Sequence, residues 1–406
     1  MVWRNFLRIG TVLPMLWVTG ALGADKTVSI GVINDQSGIY ADMGGPGSVV
    51  AAQLAIKDSG LEAKGWTVKL VNADHQNKAD IASSIVRKWF DTDGVDVVAD
   101  VTNSAAALAV NQIVKDKNKV MLASGPAVSD LTGSACTPNT VHWTHDTWAF
   151  ANGIGKAVVD TGGKTWFFLT SDFAFGYALE RDTEKMVLAN GGKVLGKVRH
   201  PNGTSDFSSY LLQAQSSNAD VIALANSGDD TVNSIKQAAE FGIAGSRQRL
   251  AGLLIYITDV HSLGLKLAQG LVLVSPFYWD MNDGTRAFSE RFAALRKGAK
   301  PSMVQAGVYG SVLHYLKAVE AIGSAEDGAK VVAKMKEMPT DDPLFGKGYI
   351  RADGRKMHPM YLFQVKTPAE SKYPWDYYTY KAEIPAEVAF RPLNAGGCPL
   401  VAKTAN

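Results

Sequence analysis

The chain has only two cysteines in 406 residues, so neither a cysteine-based metal cluster nor a dense disulfide framework is open to it. Charge of one sign is also missing: 41 Lys and Arg against 39 Asp and Glu leave +2, which excludes the basic face that nucleic-acid binding requires. No run of like charges marks a disordered tail or a polybasic membrane patch. Beyond Ala21 no apolar run approaches the ~20 residues of a membrane span. Catalytic signatures are missing too. There is no Gly-x-Ser-x-Gly elbow and no glycine loop ending in Gly-Lys-Ser/Thr. Asn34 to Gly47 is rich in glycine but lacks the dinucleotide spacing and any lysine. His142 and His145 stand at an odd spacing in an extended segment, which turns them to opposite faces and makes them structural rather than metal ligands. No metal and no cofactor is implied. So complete an α/β chain without chemistry points to holding a ligand rather than transforming it.

What is present starts with a leader. Arg4 and Arg8 precede an uncharged apolar stretch from Ile9 to Ala21, followed by small residues, which is the layout of a secretory signal peptide over 1–24. The mature protein is then expected free in an exported compartment. In such an oxidising place, Cys136 and Cys398, both in loops, are expected to pair. Their bridge would close a loop of roughly 260 residues, with a chain-entropy ceiling on the order of 5 kcal/mol.

The length favours two lobes over one core. Val28 to Ile33 reads as a buried strand, the loop after it is crowded with Asp, Ser and Gly, and a helical pattern runs from Val49 to Gly60. Strand–helix alternation continues through Trp66–Val71, Ile81–Phe90, Val95–Ala99, Ala105–Val114 and Val120–Ala123. This is an α/β chain with a doubly wound parallel sheet. The rhythm breaks at Val141–Asp146, and a second series follows: helix Trp148–Val159, then strands at Thr165–Leu169, Lys193–Val198, Val221–Leu224 and Leu250–Leu254, separated by helices. Helices Arg286–Leu295 and Val304–Ile322 are expected to return to the first lobe. Gly348 to Val365 reads as a hairpin on the second, turning at Ala352-Asp353-Gly354. The expected division is lobe I over 25–145 and 275–345, lobe II over 146–274 and 346–385, and a tail over 386–406 that returns to the hinge.

Four motifs in this order, behind a leader, carry a resemblance. They are Ile33-Asn34-Asp35-Gln36-Ser37-Gly38-Ile39-Tyr40-Ala41, Asn103-Ser104-Ala105, Ala123-Ser124-Gly125-Pro126-Ala127 and Ser171-Asp172-Phe173-Ala174-Phe175-Gly176. Lys26 to about Lys366 resembles the branched-chain amino-acid type of periplasmic solute-binding protein of ABC importers, including its aromatic-acid-binding branch. The resemblance implies the type I periplasmic binding protein fold, with two lobes joined by three crossovers and a ligand in the cleft. It also implies a membrane permease as partner, a monomer, and no nucleic acid. Ser104, opening a helix where free N–H groups form an anion site, and the Gly125, Pro126 and Ala127 backbone are expected to grip a ligand carboxylate. Ser37, Tyr40, Met43, Asn103 and Phe175 are further candidates for the pocket, as is Gln305 by its match to a family position.

One departure bears on the ligand. The family's amino-acid binders place an acid after the strand near Leu250–Leu254, where this chain has Leu254-Ile255-Tyr256 and no carboxylate until Asp259. A buried cation without a partner is costly, so the expected ligand is a carboxylate with an apolar or aromatic body and no required ammonium. Asn226 and Ser227 offer neutral polar groups, and Leu254 and Tyr256 line the same side. The rival expectations are a branched-chain or other neutral amino acid, with Asp259 or a backbone carbonyl taking the ammonium, and a sensory ligand-binding protein.

Overall fold

The computed structural model describes residues 26–243 and 247–401. The expected leader lies outside the described residues. The first sheet holds β1 (Thr27–Asn34), β2 (Thr67–Asp74), β3 (Val97–Asp100), β4 (Val120–Ala123) and β5 (Thr140–His142), in the order β2-β1-β3-β4-β5. All its pairings are parallel. Strands β3 and β4 are buried at every residue, as a central parallel sheet covered on both faces requires. Helices Gly45–Ser59, Ala79–Asp91 and Ser104–Asp116 connect its first strands.

The second sheet repeats the plan with β6 (Thr165–Ser171), β7 (Lys193–His200), β8 (Val221–Ala225) and β9 (Arg249–Gly252), in the order β7-β6-β8-β9, again all parallel. In each sheet the chain starts inside, steps outward, and then winds the other way. That reversal makes a crevice at the strands' carboxyl ends. The helix expected over Trp148–Val159 is present with a fault: between Thr147–Phe150 and Lys156–Asp160 the turn Ala151–Gly155 is a π-helix.

After β10 (Val272–Ser275) the chain returns to the first lobe, as expected. Helix Met303–Ile322 packs along Gly45–Ser59, Arg291 pairs with Asp58 at 2.7 Å, and the Tyr309 hydroxyl donates to the same carboxylate at 2.8 Å. The expected hairpin needs correcting. The turn at Ala352–Gly354 is there, but its arms are β12 (Gly346–Ile350) and β13 (Lys356–Met357), with β11 (Thr340–Asp342) as a third strand. A parallel bridge from Arg355 to His142 fastens this hairpin to the edge of the first sheet, not the second. Only then does β14 (Met360–Val365) pair with β10, and with β15 (Tyr378–Ile384) on its other side. The chain therefore leaves the first lobe near Met357, later than the expected 345/346 boundary.

Three crossings join the lobes: Trp143–Asp146, Pro276–Trp279 and His358–Pro359. The tail then lies back across them. Phe390 stands against His358 and the Arg355 guanidinium, and Arg391 donates to the Ser129 carbonyl at 2.9 Å. Cys136 and Cys398 are joined across a separation of 262 residues. No helix among the described residues is long and apolar enough to cross a membrane.

Candidate functional site

The two sheets face each other across a narrow cleft walled from both lobes. Tyr40, Met43, Thr102, Ser104, Gly125 and Ala127 stand on one side, with Phe173, Phe175, Ser227, Leu254 and Tyr256 on the other. Each comes from a loop leaving the carboxyl end of a strand or, for Ser104 and Phe175, from the first turn of the helix that follows it. The cleft is shut on itself: the Asp229 amide donates to the Ile39 carbonyl at 3.3 Å, and the Tyr40 hydroxyl reaches Asn202 Oδ1 at 3.3 Å. Burial pushes the Tyr40 hydroxyl far above the usual phenol range.

Asn103, rather than Ser104, caps helix Ser104–Asp116. Its Oδ1 accepts from the Ala105 and Ala106 amides at 2.9 and 3.0 Å. Those two amides are spent, and the Ser104 hydroxyl, at the cleft, makes no hydrogen bond among the described residues. Gly125 cannot carry a side chain here. A Cβ would stand 2.5 Å from Asp100 Oδ1 and 2.8 Å from the Thr102 methyl. Beneath it Asp100 and Val101 hold left-handed backbones, φ 76° and 54°, a strain that persists where packing over-determines the site. Burial raises the Asp100 carboxyl to about 6. His142 braces the same loop from behind, its Nε2 at 2.8 Å from the Pro126 carbonyl.

Five expected contacts lie elsewhere. Ser37 donates to Asp74 Oδ2 at 2.6 Å on the exposed side. Asn103 is the cap, and Pro126 turns its carbonyl to His142. Asn226 accepts from the Thr231 hydroxyl at 2.8 Å within its own lobe. Gln305 donates to the Asp42 and Gly44 carbonyls at 3.1 and 3.0 Å and so fixes the loop that carries Met43. Thr102 and Phe173 were not anticipated. Each sits one or two residues before a residue that was, at a strand end where the facing of side chains reverses.

No charged side chain is among the residues walling the cleft. Asp259 is turned aside: its Oδ2 accepts the Tyr256 amide at 2.8 Å and caps the short helix Ile257–Leu263. Burial raises that carboxyl to about 7. An anion would meet hydroxyls and backbone N–H groups only.

Residues 27–372 match the family model described as periplasmic binding protein. The chain belongs to that family. A periplasmic binding protein from Burkholderia mallei is 52% identical, with a TM-score of 0.90 over 92% of this chain and 99% of that one. A branched chain amino acid ABC transporter periplasmic ligand-binding protein from Burkholderia xenovorans LB400 is 43% identical, with a TM-score of 0.81 over the same shares. Leu/Ile/Val-binding protein homolog 6 of Brucella melitensis biotype 1 is 26% identical over 379 residues, 89% of this chain and 94% of that protein. The periplasmic binding proteins are solute receptors of ABC transporters and not enzymes. The doubly wound pair of lobes is their type I fold.

Proposed function

We propose that this chain is the exported, monomeric receptor of an ABC importer that closes on a small monocarboxylate with an apolar or aromatic body and presents it to a membrane permease. The observation that carries the reading is the wall of the cleft. It offers the Ser104 hydroxyl to a carboxylate, with aromatic and aliphatic groups around the remainder and no counter-charge for an ammonium. A cation placed there would lose its hydration without an ion partner, at a cost of several kcal/mol.

A branched-chain amino acid is the second reading, favoured by the 43% identical relative. It requires Asp259 to let go of the Tyr256 amide or a backbone carbonyl to take the ammonium. Calorimetric titration with leucine, 4-hydroxybenzoate and cinnamate separates the two. Binding of the aromatic acids without leucine supports the first reading; strong leucine binding with no aromatic response overturns it.

A further inference from the structure

Three loops of the first lobe meet at the cleft, and a ring of four residues ties them together. Asp35 follows β1, His75 and Asn77 follow β2, and Thr102 follows β3. The Asp35 amide donates to Thr102 Oγ1 at 3.0 Å, and Asn77 Nδ2 donates to Asp35 Oδ2. The Asn77 amide donates to His75 Nδ1 at 3.1 Å, while His75 Nε2 stands 3.4 Å from Thr102 Oγ1 and closes the ring.

The state of the histidine follows from that geometry. It is fully buried, and burial lowers its imidazolium to about 4 against the opposing pull of Asp35 and Asp74. A neutral ring that accepts at Nδ1 carries its proton on Nε2, so Nε2 donates to Thr102. With its hydroxyl held on that side, Thr102 turns its methyl to Gly44 and Gly125, where a Cβ would stand 2.7 and 2.8 Å from it. The ring also reaches two other residues of the wall. Asp35 Oδ2 accepts the Tyr40 amide at 2.9 Å. The Asn77 carbonyl accepts from Asn103 Nδ2 at 3.4 Å, beside the cap that opens the helix at Ser104.

Strain gathers at the same place. Gln76, Asn77, Asp100 and Val101 are four of the eight non-glycine residues with left-handed backbones among the described residues, with φ from 51° to 76°. Such backbones persist where the surrounding contacts over-determine them, and they cluster at ligand clamps.

We propose, on the reading of this cleft as the ligand site and for either ligand considered above, that His75 is a positioning residue for capture. Acting through Thr102, Asp35 and Asn77, it fixes the loops that bring Tyr40, Thr102 and Ser104 to the ligand. A wall held in place beforehand has less freedom to lose on binding.

The test is calorimetric titration of leucine, 4-hydroxybenzoate and cinnamate, well below every variant's Tm, with nitrogen NMR of the wild-type imidazole. The proteins are wild type, His75→Leu, His75→Gln, Thr102→Val and the double variant His75→Leu with Thr102→Val. His75→Leu is expected to weaken whichever probe wild type binds by at least tenfold. His75→Gln, whose amide accepts from Asn77 and donates to Thr102, should restore affinity to within about threefold of wild type. Thr102→Val opens the ring from its other side, so the double variant should bind no more weakly than His75→Leu alone. NMR should find Nδ1 bare and Nε2 protonated. The proposal falls if His75→Leu lowers Tm yet binds within twofold of wild type, as a merely structural histidine would. It falls equally if a folded His75→Gln gives no rescue, if the losses of the two single variants multiply in the double variant, or if the proton sits on Nδ1. Should His75→Leu not fold, Thr102→Val decides alone, and binding within twofold of wild type overturns the proposal. In each of those cases wild type still binds a probe; no binding of any of the three overturns the reading of the cleft itself.

Discussion

His142 Nε2 stands 2.8 Å from the carbonyl oxygen of Pro126, which ties the first crossing between the lobes to the loop expected to meet the ligand's carboxylate. Burial and the neighbouring Arg355 keep His142 neutral far below its ordinary range, so Nε2 donates and Nδ1 is left buried without a partner. Removing the donor in His142→Phe leaves the Pro126 oxygen unpaired, a cost of about 1–3 kcal/mol. A lower Tm and weaker ligand binding are expected together. The folded state here disfavours protonation, so His142 contributes stability above about pH 6.5 that is lost as the pH falls. Thermal melts from pH 7 to 4 should therefore show a shallower acid loss in the variant than in wild type.

Ser104 and Asn103 separate recognition from folding. Ser104→Ala should weaken ligand binding about tenfold and leave the melting point nearly unchanged, because the helix is capped elsewhere. Asn103→Ala should cost about 1 kcal/mol of stability through the lost cap. Calorimetry alongside thermal melts checks the split. A large stability loss in Ser104→Ala would show that the hydroxyl supports the helix after all.

Gly228 sits where the lobes meet. Its φ is +62°, and a Cβ there would stand 2.4 Å from the Ile39 carbonyl across the cleft. Gly228→Ala is expected to hold the lobes apart. Small-angle scattering with ligand should show no compaction, and affinity should fall more than tenfold. Ligand-induced compaction equal to that of wild type would contradict this.

Lys356 is fully buried at the crossings, with Nζ unpartnered between the rings of Trp143 and Phe345 at 5.1 and 4.8 Å from their centroids. Burial lowers its ammonium to about 8. Stability from the neutral amine is full above its unfolded value and is lost as the pH falls through 8. Replacing a strained buried charge with an apolar side chain of similar length is often stabilising. Lys356→Met should therefore raise Tm at pH 6, with the gain shrinking toward pH 10.

The Cys136–Cys398 bridge closes a span of 262 residues. Chain-entropy arithmetic puts its removal at about 5 kcal/mol as a ceiling. Cys398→Ser, or dithiothreitol on wild type, should lower Tm by the same amount. The measurement is a pair of melts, and an unchanged Tm in both would mean that the tail adds no stability through the bridge.

Much of this was legible because parallel βαβ units write themselves plainly. Buried strands such as Val120–Ala123 are continuous apolar runs, and the tandem winding follows from their spacing. The site was legible in outline, since Tyr40, Met43, Ser104, Ala127, Phe175 and Tyr256 do converge on one cavity. What failed was the allocation of polar groups. Sequence does not distinguish a glutamine facing a pocket from Gln305, which braces the loop behind it, nor an asparagine beside a ligand from Asn103, which caps. β15 was missed because its outward residues are largely exposed and polar, so its strand character rests on backbone pairing with β14. The hairpin was misassigned because the turn signal at Asp353-Gly354 is local. Its lobe is decided by Arg355 and Lys356, buried cations that only long-range packing explains.

The absence of a charged side chain around the cleft sets a limit on cargo. On the proposed reading, a succinate-like dianion gives up more hydration than a singly charged acid to the same few neutral dipoles, and weaker binding of succinate than of a monocarboxylate is expected on titration. On the same reading, release of the ligand to a permease would break no ion pair between the ligand and the walls of the cleft.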